Sequence, residues 1–205
     1  KMGVIIEESK LKFGEFNEAN VFNIEKLPQY DLIRPHGVAC CEFILLRSDK
    51  LFLIEAKESC PHAVQSNCPA GNKPENPESV DDFIRKITKK MRHTLEFYGS
   101  VLLGRQAQDG LTDLMREKGL QVKEINPVVV VNTKGSGWKP DPELQMKLQN
   151  AFRPESRIWK LRPILIINKD HRIFAQVAIC QQPIHNGDLL YALCGSTDGE
   201  FLSAG

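Results

Sequence analysis

Two glutamates and a lysine in an apolar region of the chain have the types and spacing of a metal site. Glu42 begins one apolar run, and Glu55 and Lys57 end the next. If these runs pair as an antiparallel hairpin with a loop of two or four residues, Glu42 lies opposite Glu55. Lys57 then projects from the same face, because side chains alternate along a strand. Facing carboxylates in an apolar sheet oppose each other's ionisation, and a divalent cation such as Mg2+ or Mn2+ would relieve that conflict.

The same residues also fit a solvated hairpin end with an ordinary ion pair between Glu55 and Lys57. A loop of three or five residues would place Glu42 and Glu55 on opposite faces, because a shift of one residue exchanges the faces of a strand. The metal-site hypothesis therefore depends on the register of this hairpin.

The elements that must position these residues are two strands and a long helix. Strands are predicted at Val38–Leu46 and Leu51–Lys57, apolar on both faces as in a sheet that is covered on both sides. A helix is predicted from Ser79 to about residue 103, with Ser79 and Asp82 in a variant capping box. One stripe of this helix is apolar at helical spacing: Val80, Phe83, Ile84, Ile87, Met91, Leu95, Tyr98 and Leu102.

The remaining face of the long helix is basic. It carries Arg85, Lys86, Lys89, Lys90 and Arg92. Such a face is either solvated or in contact with phosphate groups, and we select Arg85, Lys86, Lys89 and Lys90 as candidate nucleic-acid contacts.

Other segments have weaker patterns. The first 35 residues fit either helix or strand, and the residues from Ser59 to Pro77 read as a loop. A helix is predicted at Leu111–Lys118 and another from Asp141, its N-cap, to about Phe152. Further strands are predicted at Pro127–Asn132, Ile164–Ile167, Ile173–Ile179 and Asp188–Cys194, and Trp138 lies in a glycine-rich loop where it could stack on a base.

The amino-acid composition limits the number of domains and the kinds of partner that we expect. The 205 residues are 41% hydrophobic, which predicts one domain, residues 1–205, with a substantial core. Because 27 Lys and Arg balance 26 Asp and Glu, net charge does not indicate nucleic-acid binding, although a local basic patch remains compatible with it. No apolar run approaches the ~20 residues of a membrane span, so we expect a cytoplasmic protein without a membrane partner.

The six cysteines are expected to be reduced, since a chain of this length without a secretory signal has little need of disulfides. Cys60, His62 and Cys68 could nevertheless bind zinc if His36 or His93 came near as a fourth ligand. A zinc-stabilised binding protein is therefore a further hypothesis.

With its hairpin, long helix and following apolar strand, the chain resembles the PD-(D/E)xK, or restriction-endonuclease-like, superfamily. The resemblance rests on residues 41–46, on residues 52–59 and on the helix from Ser79, and it covers about residues 15–135, with residues 136–205 as an elaboration. It implies an α/β fold with a central mixed β-sheet flanked by helices. Glu42 takes the place of the motif's aspartate, without the preceding proline, and Glu55 and Lys57 take the places of its second acid and lysine.

The resemblance implies a nuclease that hydrolyses DNA or RNA with Mg2+ or Mn2+, and a homodimer is one arrangement by which such enzymes cut two strands. Glu42, Glu55 and the carbonyl of Ala56 would hold the metal, and Lys57 would orient water or stabilise the transition state. A further acid on an amino-terminal element is also expected. Glu25 is the first choice and Glu18 the second, ahead of Glu15 and Asp31. A related alternative is a nuclease-like module that has lost catalysis and binds nucleic acid or protein.

Overall fold

A five-stranded mixed β-sheet forms the centre of the computed structural model, which describes residues 3–61, 78–133 and 140–169. The strands are β1 (Gly3–Glu8), β2 (Leu11–Asn17), β3 (Val21–Asn23), β4 (Phe43–Arg47), β5 (Lys50–Lys57), β6 (Glu124–Val131) and β7 (Leu165–Asn168). The helices are α1 (Pro28–Ile33), α2 (Val80–Leu102), α3 (Asp113–Lys118), α4 (Pro142–Ala151) and α5 (Arg153–Trp159). The predicted α/β class with a mixed, helix-flanked sheet is confirmed.

The sheet has the strand order β3-β4-β5-β6-β7. Strands β3, β4 and β5 are antiparallel neighbours, whereas β6 is parallel to β5 and β7 is parallel to β6. Helices α2 and α3 connect β5 to β6, as a parallel pair requires a long crossover. The central sheet continues beyond residue 135, because β7 pairs with β6 through Val128 and Leu165.

The hairpin of β4 and β5 has the register on which the metal-site hypothesis depends. Phe43 pairs with Ile54 and Arg47 with Lys50, so the loop consists of Ser48 and Asp49 alone. Ser48 has a φ of 55°, a left-handed value that the first position of a primed two-residue hairpin turn uses. This tight turn fixes which side chains share a face.

The strand predicted from Val38 is wrong at its beginning, because pairing starts only at Phe43. The backbone amides just before it are bound by side chains instead of by a neighbouring strand. Ala39 N donates to Nδ1 of His93, Cys40 N donates to the hydroxyl of Tyr30, and Cys41 N donates to Oγ1 of Thr94. Residues 38–42 are therefore a partly buried irregular segment tied to the helices.

Helix α2 agrees closely with its prediction. Ser79 is the N-cap and its hydroxyl accepts from Asp82 N at 3.0 Å, while the Asp82 carboxylate bonds the same hydroxyl. After Leu102 the chain turns at Gly104, which has a φ of +67° and whose N–H donates to Val101 O. The apolar stripe is buried from Phe83 through Tyr98, with Val80 and Leu102 partly buried at its ends.

Two hydrophobic cores cover the two faces of the sheet. On one face Ile44 and Leu53 pack with α2 and α4. On the other, the β1–β2 hairpin covers Phe43 and Ile54, and the rings of Phe13 and Phe43 meet edge to face at 5.4 Å. This arrangement explains why both faces of the two strands are apolar.

Later elements also follow the sequence patterns, with shifted bounds. Helix α3 begins at Asp113, β6 begins at Glu124, and β7 lies at Leu165–Asn168. Asp141 caps α4 as predicted, and its carboxylate accepts from Glu143 N. Helix α5 was not predicted as a separate element.

Several predictions fall outside the described residues. These are the strands at Ile173–Ile179 and Asp188–Cys194, the loop of Trp138, the bulk of the loop from Ser59 to Pro77, and the zinc ligands His62 and Cys68. Within the described parts of the chain, no helix is long and apolar enough to cross a membrane.

Candidate active site

Glu55 is the most deeply buried charged residue of the candidate site. Its side chain is 0% exposed and lies on the sheet face that packs against α2, because Leu51, Leu53 and Glu55 alternate with residues of the opposite core. The backbone of Glu55 pairs with Val129 of β6, so the carboxylate projects from the middle of the sheet. A charge in such a place requires close positive partners.

Glu42 reaches the same place from the neighbouring strand. It directly precedes β4, and its N–H donates to Ile54 O at 3.1 Å, beside the last regular pair of the hairpin. Glu42 is 8% exposed. The predicted proximity of Glu42 and Glu55 on one face is therefore confirmed, although Glu42 lies just outside the strand.

Two ammonium groups meet the buried carboxylates. Lys57 Nζ lies 2.9 Å from Glu55 Oε1. Lys90 Nζ, from α2, lies 2.8 Å from the same oxygen, 3.0 Å from Glu55 Oε2 and 3.3 Å from Glu42 Oε1. Lys90 thus joins acids from two adjacent strands to the helix above them.

Burial and repulsion disfavour the ionised form of Glu42. Burial first, and then the nearby charge of Glu55, raises the pKa of Glu42 to about 7, with Lys90 acting in the opposite direction. Burial by itself would lower the pKa of Lys90, but attraction to Glu55 and Glu42 outweighs it and raises that pKa. The two carboxylates therefore favour a positive charge beside them.

The backbone of Ala56 faces the gap beside Glu42. Lys57 O accepts from Asn132 N, which shows that the carbonyl of Lys57 points toward the β6 side. Since neighbouring residues of a strand direct their carbonyls to opposite sides, the Ala56 carbonyl points toward the β4 side, past the last regular pair. The Ala56 carbonyl remains the predicted backbone ligand of the metal.

Glu25 lies within electrostatic reach of this cluster. It is in a short 3-10 turn after β3, and its carboxylate is 3.9 Å from Arg34. Burial raises the pKa of Glu25, while the charges of Lys90 and Glu55 act on it in opposite directions. The other candidate acids are exposed: Glu15, Glu18 and Asp31. Glu25 remains the predicted third acid.

The chemistry of the donor set fits a hard divalent cation. Glu55 Oε1 is buried and forms no hydrogen bond of acceptable geometry, even though two ammonium groups lie within 2.9 Å. Within residues 3–61, 78–133 and 140–169, no group of three or more His, Cys, Asp or Glu side chains is placed to hold a metal. A cation here would thus rely on Glu42, Glu55, the Ala56 carbonyl and water, a composition common for Mg2+.

The four predicted nucleic-acid contacts of α2 are not alike. Arg85 pairs with Asp82 at 2.8 Å, Lys86 pairs with Glu78 at 2.7 Å, and Lys89 is exposed. Only Lys90 turns toward the acids. The first three remain a candidate phosphate-binding surface at the helix exterior.

Lys90 is a member of the site that the sequence pattern did not assign to it. Lys90 follows Ile87 by three residues and precedes Thr94 by four, which places it on the buried stripe of α2. That spacing was the available signal. Glu8, at the end of β1, raises the pKa of both Glu25 and Glu42, and no local signal marked it.

The cysteines of the described segments agree with the reduced state expected from the sequence. Cys40, Cys41 and Cys60 are free and buried. Of the suggested fourth zinc ligands, His36 is exposed and His93 accepts a hydrogen bond from Ala39 N.

The fold and the site define a mixed α/β protein with a buried carboxylate and lysine cluster at the junction of its central sheet and longest helix. Comparison with protein-family models, with curated proteins and with solved structures gave no match.

Proposed function

We propose that this protein is a metal-dependent nuclease with a restriction-endonuclease-like core. The observation that carries the proposal is the convergence of Glu42, Glu55 and Lys57 on one face of the sheet, with a buried oxygen of Glu55 that lacks a well-oriented hydrogen bond. An antiparallel hairpin followed by a helical crossover to a parallel strand is the arrangement that the resemblance implies. The coincidence of topology and side chains supports the reaction class.

The residues of the site suggest a separate role for each group in the proposed hydrolysis. Glu42, Glu55 and the Ala56 carbonyl would hold Mg2+ or Mn2+, which when bound would activate water and neutralise charge on a scissile phosphodiester. Lys57 is anchored by Glu55 and keeps a side chain that is 25% exposed. Its ammonium can therefore face a substrate, where it would orient the attacking water or stabilise the negative charge of the transition state.

The substrate is DNA or RNA under this proposal. The exterior of α2 supports it, since Arg85, Lys86 and Lys89 are exposed on the helix that also carries Lys90. These cations would contact phosphates without reading the sequence. A homodimer remains part of the proposal only for substrates cut on both strands.

Cleavage of supercoiled DNA, single-stranded DNA and single-stranded RNA, each with Mg2+, Mn2+ or a chelator, tests the proposal. We expect metal-dependent cleavage of at least one substrate, and its loss in the Lys57→Ala variant. Lys50→Ala is the matched control, because Lys50 lies at the other end of β5, is 26% exposed and pairs with Glu124. No cleavage of any substrate by the folded protein would overturn the enzyme proposal.

A second candidate is a nuclease-like module that has lost catalysis and binds nucleic acid or protein. The contacts of Lys90 with both acids favour it, because an ammonium that never leaves would replace the metal. Nucleic-acid binding that is unaffected by metal and chelator, without cleavage, would support this module.

A further inference from the structure

Lys90 makes the contacts that a bridging cation would make. Its Nζ is 2.8 and 3.0 Å from the two oxygens of Glu55 and 3.3 Å from Glu42 Oε1. Of these two carboxylates, Lys57 forms its ion pair with Glu55. Lys90 is therefore the cation that joins the two carboxylates.

An ammonium and a divalent metal compete for the same oxygen lone pairs. Lysine donates hydrogen bonds to oxygens at about 2.8 Å, whereas Mg2+ requires oxygens at about 2.1 Å. Lys57 and Lys90 already place two positive charges beside the two carboxyl groups, so a metal between them would add further positive charge in a largely buried place. One ammonium must leave, and it is the one that bridges.

The side chain of Lys90 can leave without movement of the helix. It is 22% exposed, and its neighbour Lys89 is exposed. The flexible four-carbon stem allows the ammonium to swing to water while the backbone remains in place.

We propose that Lys90 is an internal counter-ion that holds Glu42 and Glu55 in the metal-free protein and is displaced when Mg2+ or Mn2+ binds. This inference rests on the metal site of the proposed function. Lys90 would then set the affinity of the site for the metal. The protein would fold without metal, because Lys90 holds the two buried acids.

Calorimetric titration of Mn2+ into three full-length proteins tests the inference: the wild type, Lys90→Met and the matched control Lys89→Met. We expect the dissociation constant to be lower in Lys90→Met by about tenfold or more, which corresponds to about 1.4 kcal/mol. Lys89→Met should bind like the wild type. Equal or weaker binding by Lys90→Met would overturn the inference, as would absence of binding to all three proteins.

Thermal unfolding gives a second measurement, which can be interpreted even if Lys90→Met does not fold without metal. Lys90→Met should melt below the wild type without metal, because its carboxylates lose their shared cation, and millimolar Mn2+ should restore the melting temperature. If Lys90→Met is unfolded without metal, circular dichroism should show folding when Mn2+ is added. Failure of Mn2+ to stabilise or fold Lys90→Met would overturn the inference.

The two proposals fail in different ways. Tighter Mn2+ binding by Lys90→Met with no cleavage of any nucleic acid would sustain the role of Lys90 and refute the nuclease. Metal-dependent cleavage with equal Mn2+ affinities in wild type and Lys90→Met would support the nuclease and refute the role of Lys90.

Discussion

Glu42, just before β4, and Glu55, in the adjacent strand β5, contact the same ammonium, that of Lys90, at 3.3 and 2.8 Å. The tight turn at Ser48 and Asp49 sets the hairpin register that brings the two acids to one face, and the docking of α2 places the lysine above them. This relationship makes the site both a candidate for chemistry and a source of electrostatic tension.

Replacement of Glu42 by glutamine should reduce cleavage strongly while changing the stability of the fold little. Because burial and Glu55 raise the pKa of Glu42 to about 7, its charged form is disfavoured near neutral pH. We expect Glu42→Gln to change the free energy of unfolding by less than about 1 kcal/mol at pH 7, while metal-dependent cleavage falls by about a hundredfold or more. Urea unfolding and initial cleavage rates measure the two effects.

Glu58→Gln is the control for that experiment, since Glu58 directly follows β5 but is exposed and pairs with Lys10. It should retain both stability and cleavage. Undiminished cleavage by Glu42→Gln would exclude Glu42 as a metal ligand.

Thr94 should be a strong contributor to stability through the irregular segment before β4. Its hydroxyl accepts from Cys41 N at 2.7 Å and donates to Lys90 O, and the side chain is fully buried. Thr94→Val leaves the Cys41 N–H without this partner, and we expect a loss of about 2 kcal/mol in urea unfolding.

The matched control for Thr94 is Thr88→Val, because Thr88 donates only within its own helix, to Ile84 O and Arg85 O. That variant should lose less than about 1 kcal/mol. Equal losses from the two valine variants would show that the bond to Cys41 contributes no special stability.

The contact between Arg92 and Glu155 should stabilise the docking of α5 on α2. The Glu155 side chain is 7% exposed, and removal of Arg92 would leave its charge with little compensation. We expect Arg92→Ala to lower the free energy of unfolding by about 2 kcal/mol, less than for a fully buried pair because Arg92 itself is half exposed.

Arg85→Ala tests whether that effect is specific, since Arg85 pairs with the exposed Asp82 on the same helix. An exposed pair of this kind is screened by water, so Arg85→Ala should change the free energy of unfolding far less than Arg92→Ala. Similar values for the two arginines in chemical denaturation would contradict a stabilising role for Glu155.

The adjacent thiols of Cys40 and Cys41 should resist alkylation in the native protein. Burial raises the pKa of Cys40 to about 12 and the pKa of Cys41 well above its ordinary value. We expect iodoacetamide at pH 8 to modify their peptide at least about a hundredfold more slowly than in urea, because the thiolate is the reactive form. Peptide mass spectrometry measures both rates.

The same pKa shift predicts a direction for stability. Because the folded pKa of Cys40 exceeds the unfolded value of about 8.5, its contribution is complete below that pH and declines as pH rises toward about 12. Cys40→Ala should therefore lose less stability than the wild type between pH 8 and pH 10. A steeper loss in the variant would contradict the buried, protonated state of this thiol.

The sequence by itself determined the local elements around the site. Periodicity and the cap at Ser79 predicted α2, and two apolar runs predicted a hairpin, whose two-residue turn in the structure brings Glu42 and Glu55 to one face. These features depend on neighbours a few residues apart, so the order of residue types carries them. The sequence pattern could not predict the true start of β4, because the amides of residues 39–41 are bound by side chains from distant helices.

Only the tertiary structure decided which cation of α2 belongs to the acids. Lys89 and Lys90 are neighbours of the same type in the sequence, yet one faces solvent and the other joins two strands. The rotation and position of α2 on the sheet make that choice, and they result from packing of its apolar stripe against Ile44 and Leu53. The position of α2 depends on many contacts between segments that are far apart in the chain. The pairing of the hairpin, by contrast, depends on its own short turn.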